Sequence, residues 1–230
     1  LMELADRIVY LEKGEIKGIY TPEEFRQLSE QERERMGLRA VDLRAVFPPK
    51  PHSIAPIPVL ELRNVTLSYK KRTILHDIGL SAGKGEVIGV VGHNGAGKTT
   101  TISLMSTLLL PTEGEIRVDG EVLSRKNPGL KRKISVITQE YSMRQDMTMD
   151  EVMEYQGRLY FMPRKKIREK TEELLEFCGL IDFRRRTVRK LSGGMKRKLM
   201  VCRALLTEPE ILLLDEPTAG MDALSRRQMW

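Results

Sequence analysis

One run of nine residues, Gly92-His93-Asn94-Gly95-Ala96-Gly97-Lys98-Thr99-Thr100, narrows what this chain can fold into more than any other feature. It fits G-x-x-x-x-G-K-[ST] and lies between an apolar strand, Val87–Val91, and an apolar helix predicted to reach about Leu109. Gly95 and Gly97 let the backbone take conformations that other residues resist, so successive N–H groups can converge on a phosphate. A helix N-terminus adds positive potential at the same place. The residues Gly92, Asn94, Gly95, Ala96, Gly97, Lys98, Thr99 and Thr100 therefore form a candidate phosphate cradle. Lys98 brings a mobile ammonium to the β- and γ-phosphates, and the Thr99 hydroxyl is placed to ligate Mg2+. His93 fills a variable position of the loop and reads as a bystander.

The 230 residues suggest one to two domains, at about 150 residues per domain. With 40% hydrophobic and 31% charged residues, the composition excludes a fully disordered chain. No apolar run reaches the length of a membrane span, and the N-terminus LMELADRIVY carries no secretory pattern. A chain starting at Leu1 rather than Met reads as a piece of something longer. The net charge of +7 is local: Arg164–Arg203 holds 14 basic and 5 acidic residues, a net +9. Such a stretch suits phosphates, nucleic acid or an anionic membrane surface, or is a solvated helical face. Cys178 and Cys202 fall in apolar helical patterns and read as buried, reduced thiols.

Phe47–Pro58 holds five of the eleven prolines and reads as an extended linker, separating residues 1–46 from 59–230. In the first piece, strands are expected at Arg7–Leu11 and Ile16–Tyr20 around a Lys13-Gly14 turn. A helix then starts at the cap Thr21-Pro22-Glu23-Glu24 and is expected to reach about Met36. Two strands and one charged helix cannot bury enough surface alone, so this piece looks like the end of something larger. The second piece opens with antiparallel strands, Val59–Tyr69 and Ile74–Ser81. A hairpin is expected around Asp119-Gly120. Val87–Val91 and Ile211–Leu214 are apolar throughout, as expected for strands covered on both faces. Helices are predicted over Ile167–Cys178, stopped by Gly179, and over Met195–Leu206.

Ile211–Leu214 ends in Asp215-Glu216. Side chains alternate along a strand, so adjacent acids can take different tasks. Asp215 suits holding Mg2+, and Glu216 suits orienting and deprotonating an attacking water. Leu191-Ser192-Gly193-Gly194-Met195 opens a helix, giving an N-cap and a second anion-binding nest at Ser192, Gly193 and Gly194.

Together these motifs resemble the ATP-binding cassette (ABC) family over 59–230, whose signature is LSGGQ-like; Met195 stands at the usual Gln. The resemblance implies an α/β P-loop NTPase with an antiparallel β-subdomain and a helical subdomain, C-terminally truncated. It implies ATP as substrate, Mg2+ as cofactor, and adenine stacking on Tyr69. It makes Gln139 a residue that touches the metal and the attacking water, a third metal-side contact beside Thr99 and Asp215. Catalysis would fall to Glu216, Gln139 and Lys98. It places Asp222, in Ala219-Gly220-Met221-Asp222, at a dimer interface. It implies a second cassette as partner (homo- or heterodimer), whose Ser192 and Gly194 face Lys98 and Glu216 across ATP. It also implies transmembrane permease subunits and a place at the cytoplasmic face of the membrane.

The motifs TLLLPTEG, QEYS, RLYFMP, LSGGMKRKL and SRRQMW resemble drug-exporter ATPases of the daunorubicin-resistance type. LADRIVYLEKGEIKGIYTPEEF in 1–46 instead resembles the tail of a preceding cassette of energy-coupling-factor importers. A tandem importer ATPase, an exporter fusion and a join of two reading frames stay open. The chain stops 14 residues after Glu216, and no histidine follows His93, so the family's switch histidine is absent and slow hydrolysis is expected. The rival function is a soluble cassette acting on ribosomes or DNA; Met195 and the short proline linker argue against nucleic acid.

Overall fold

The computed structural model describes residues 5–29, 32, 36, 57–70, 72–124, 126–139 and 143–216. The chain divides into two compact units, Leu1–Asn127 and Pro128–Trp230.

The first unit carries two sheets. One has the order β2-β1-β5, from β1 (Arg7–Glu12), β2 (Glu15–Tyr20) and β5 (Ile88–Val91). β1 runs antiparallel to β2 and parallel to β5, with Arg7 opposite Ile88 and Tyr10 opposite Val91. The strand the sequence assigns to a detached tail is thus the centre of this sheet. Ile8, Val9, Tyr10 and Leu11 are all buried, whereas in β5 only Gly89 is, and Val87 just before it is exposed. Among the described residues of the first unit, β1 is the central strand of this sheet and β5 an outer one, with β1 the more deeply buried of the two. The start of β1 is tied down by Asp6, whose carboxylate accepts from Val87 N–H at 2.5 Å. Arg7 pairs with Glu86.

α1 (Pro22–Gln27) has the expected capping box between Thr21 and Glu24. It stops well short of Met36, because Ser29-x-x-Glu32 is a second capping box: Glu32 accepts from the Ser29 N–H at 2.8 Å. Phe25 seals the helix onto the sheet beside Ile8, Tyr10 and Ala5.

The second sheet, β4-β3-β6-β7, is antiparallel: β3 (Leu60–Tyr69), β4 (Arg72–Ala82), β6 (Glu113–Val118) and β7 (Glu121–Val122). The β6–β7 hairpin turns on Asp119 (φ 50°) and Gly120 (φ 79°), the geometry that Asp-Gly favours. α2 (Lys98–Met105) follows the phosphate loop.

The second unit is mostly helical. It comprises α3 (Pro128–Arg132), β8 (Ile134–Ile137), α4 (Met149–Leu159), α5 (Arg164–Phe177), α6 (Gly193–Leu205) and β9 (Ile211–Leu214). β8 and β9 pair in parallel. In β9, Ile211 and Leu213 are buried while Leu212 is exposed, so burial alternates along the strand within this unit. The core gathers Ile137, Met149, Met153, Leu175, Val188, Leu199 and Leu206. Cys202 is buried and Cys178 partly so, both as free thiols.

Candidate functional site

The phosphate loop leaves β5 at Val91 and enters α2 at Lys98. Its crest, His93, Asn94 and Gly95, is exposed, while Ala96 and Gly97 at its base are buried. Gly97 caps α2 at φ 107°, and a Cβ there would stand 2.5 Å from the Leu75 side chain. Left-handed backbone and close packing together demand glycine. The Thr101 hydroxyl, buried in the first turn of α2, donates to the Gly97 carbonyl at 3.0 Å and braces that turn.

Lys98 Nζ folds over the loop, donating to the carbonyls of Gly92 (2.8 Å) and His93 (3.0 Å). Its ammonium is thereby held against the loop crest. Thr99 is exposed, and Thr100 is half-buried. Tyr69, at the end of β3, is 68% exposed, so its ring face is open to stacking; Lys70 Nζ lies 5.8 Å from the ring centroid.

The loop has a neighbour that sequence reasoning missed. The β1–β2 turn, Lys13-Gly14, sits against it: Gly14 N–H donates to the Ala96 carbonyl at 2.9 Å, and Gly14 O accepts from His76 N–H at 2.7 Å. Behind it, Leu11 lies so close that a Cβ on Gly92 would meet the Leu11 carbonyl. The N-terminal hairpin thus forms the floor of the loop.

In the second unit, Gln139 lies just past β8 and is exposed. β9 ends in Asp215, buried at 6% exposure, and Glu216, exposed. Asp215 N–H donates to the Ile137 carbonyl at 2.8 Å, extending the β8–β9 ladder by one step. Glu216 adopts φ 46°, a left-handed conformation costing a non-glycine residue about 1–3 kcal/mol. Such a cost persists only where surrounding contacts enforce it.

Ser192 is the N-cap of α6, its hydroxyl accepting from Met195 N–H at 3.2 Å. Ser192 and Gly193 are exposed and Gly194 is half-buried at the helix start. One and a half turns on, Arg197 is 1% exposed. Its guanidinium donates to the carbonyls of Thr138 (2.7 Å), Gln139 (3.2 Å), Asp215 (3.4 Å) and Glu216 (2.5 Å). The sequence carried a signal for it. Arg197, Met200 and Ala204 stand at i, i+3 and i+7, a second buried line beside the Met195, Leu199, Cys202 and Leu206 line, with a cation at its head. The Ala219–Asp222 segment lies outside the described residues, as do Tyr141, Ser142 and 225–230.

The basic stretch is partly consumed within the unit. Lys166 and Lys170 pair with Glu208, Arg184 with Asp150, and Arg197 is buried. Its charge is therefore less available to an external anion than the sequence count suggests.

In the first unit the loop offers glycine-rich backbone, an ammonium and the exposed Thr99 hydroxyl, groups whose chemistry suits a phosphate with its magnesium. In the second unit Asp215 is a hard oxygen donor. No group of three or more His, Cys, Asp or Glu that could hold a metal gathers among the described residues. Mg2+ commonly takes one or two carboxylates together with substrate phosphates rather than an all-protein cage.

Residues 75–219 match the ABC transporter family. The chain is 36% identical over 171 residues to the linearmycin resistance ATP-binding protein of Bacillus subtilis (strain 168), covering 74% of this chain and 55% of that protein. It is 39% identical over 162 residues to a daunorubicin resistance ATP-binding protein of Streptomyces coeruleorubidus, covering 70% of this chain and 51% of that protein. The chain thus spans about half the length of these curated relatives. Among solved structures, an ATP-binding subunit of an ABC transporter superposes with a TM-score of 0.68 at 27% identity, covering 74% of this chain and 71% of that one. The cbiO1 protein of Clostridium perfringens, part of the ABC transporter complex cbiONQ, gives 0.66 at 26% identity, covering 75% and 71%. With an α/β phosphate-loop unit, an antiparallel sheet and a helical unit bearing the LSGGM helix, this chain belongs to the ABC transporter ATP-binding family.

Proposed function

We propose that the chain binds MgATP and contributes to its hydrolysis as the nucleotide-binding part of an ABC transporter of the drug-exporter branch. The observation that carries this is the phosphate loop, with Lys98 Nζ held across its crest by the Gly92 and His93 carbonyls. Lys98 and the amides from Gly92 to Thr100 would grip the phosphates, and Tyr69 would stack on the base.

Thr99, Asp215 and Gln139 would hold Mg2+, which supplies charge neutralisation at the phosphates. Glu216 would orient the attacking water and accept its proton. Its carboxylate is exposed, while its backbone is held in place by Arg197. Ser192, Gly193 and Gly194 would bind the phosphates of the nucleotide held by a second cassette. Permease subunits would complete the assembly at the cytoplasmic face of the membrane. No helix among the described residues is long and apolar enough to cross a membrane. The exporter relatives support this branch. Met195 in the signature segment and the short proline linker count against a nucleic-acid role.

We also read 1–46 as a cassette tail by descent, 47–58 as a linker and 59–230 as the nucleotide-binding domain, with the tail supplying the central strand beside the phosphate loop.

Calorimetric titration with MgATP tests the reading. The wild-type chain should give a saturable isotherm, and Lys98→Ala should weaken it at least about tenfold, the equivalent of about 1.4 kcal/mol. A folded wild-type chain showing no binding heat would overturn it.

A further inference from the structure

α6 begins at the LSGGM segment and passes under the ends of β8 and β9. Those two ends carry Gln139, Asp215 and Glu216, which in sequence lie 58 residues before and 18 and 19 residues after Arg197. One buried guanidinium joins them. It donates to two consecutive carbonyls of the β8 exit and two of the β9 exit. Its planar fork can address two acceptors on each side, which the single point charge of a lysine cannot do.

The placement also accounts for a strained residue. Glu216 sits at φ 46°, and the Arg197 guanidinium holds its carbonyl. Charge-assisted hydrogen bonds of this kind are stronger than neutral ones, so they can hold a backbone in a conformation it would otherwise leave. The direction of the Glu216 side chain follows from that backbone.

We infer that Arg197 is a positioning residue: it locks the backbone of Gln139 and of Asp215-Glu216 in register with each other and with the Ser192 end of α6. This deepens the proposed nucleotide chemistry and rests on it for the roles of Gln139 and Glu216. The brace itself is a property of the second unit alone.

The test is Arg197→Lys, with Arg197→Gln as a second variant, in the full chain. Amide hydrogen exchange without nucleotide is read on peptides covering 134–139, 211–216 and 88–105. Local loss of the brace should speed exchange by about tenfold or more at the first two and leave the third unchanged. MgATP affinity should stay within about twofold. The kcat for ATP should fall about 10- to 100-fold with KM unchanged, as when groups supporting a reactive centre are removed. Arg197→Lys should recover part of the protection lost in Arg197→Gln.

Unchanged exchange at both strand ends would overturn the inference. So would uniform loss of protection across 128–216, which would make Arg197 an ordinary core residue. Because the exchange readout needs no nucleotide, a chain that binds no ATP would sink the proposed function and leave the brace separately decided.

Discussion

Replacing Gly14 by alanine tests whether the N-terminal hairpin is built into the phosphate-loop unit. Gly14 has φ 82°, and a Cβ there would stand 1.9 Å from the Ile74 carbonyl oxygen. No side-chain rotation can relieve a clash with a backbone atom. The left-handed conformation alone costs alanine about 1–2 kcal/mol. Moving the turn away from Ile74 also sacrifices two backbone hydrogen bonds, Gly14 N–H to Ala96 O and His76 N–H to Gly14 O, at about 1 kcal/mol each. The sum is about 3–4 kcal/mol. Gly85→Ala is the control: its φ is 76°, but nothing lies within 4 Å of the added methyl, so it carries the conformational cost alone. Urea titration by circular dichroism, with amide exchange on 7–12 and 88–91, reads the difference. With a slope of about 2 kcal/mol per molar urea, the Gly14→Ala midpoint should fall by about 1.5–2 M and that of Gly85→Ala by about 0.5–1 M. Equal shifts in the two variants would refute the seating of the hairpin against the loop.

Two further outcomes are expected. Glu216→Gln should keep MgATP affinity while lowering the already slow hydrolysis expected of this chain by a further factor of about 100 or more, as loss of a general base does; phosphate release at the rate of the unsubstituted chain would remove Glu216 from that role. The two thiols should separate by alkylation. Pairing with the neighbouring Cys202 thiol lowers the Cys178 thiol below its usual range, whereas that pairing and burial push Cys202 up. Peptide mass analysis at mildly alkaline pH should therefore find Cys178 labelled first and Cys202 labelled only on unfolding, and equal rates would contradict the arrangement.

Local chemistry was legible in the residues wherever the information is itself local. The Thr21 capping box, the Asp119-Gly120 turn, the Ser192 cap and the loop from Gly92 to Lys98 each depend on a few neighbouring residues, and each stands in the structure as expected. α1 ends at Gln27 rather than near Met36, although the Ser29-Glu32 cap that follows it is just as local. The comparisons support the family that these motifs suggested.

Other features depend on pairing across long sequence separations. Hydrophobic pattern shows that Ile8–Leu11 and Ile88–Val91 are strands, but not which is central. That is set by hydrogen bonds between residues about 80 apart, which put β1 between β2 and β5 among the described residues of the first unit. A proline linker after residue 46 suggests separation, yet backbone pairing is indifferent to what the intervening chain contains. Arg197 shows the same limit. A cation in a basic run reads as a surface charge, because sequence alone does not show the four carbonyls that make its burial tolerable. The residues by themselves determined the turns, caps and phosphate-binding grammar, which are short-range conformational preferences. Only the tertiary structure decided what lies beneath the loop and what braces the carboxylates, because those contacts exist only once distant backbone groups have been brought together.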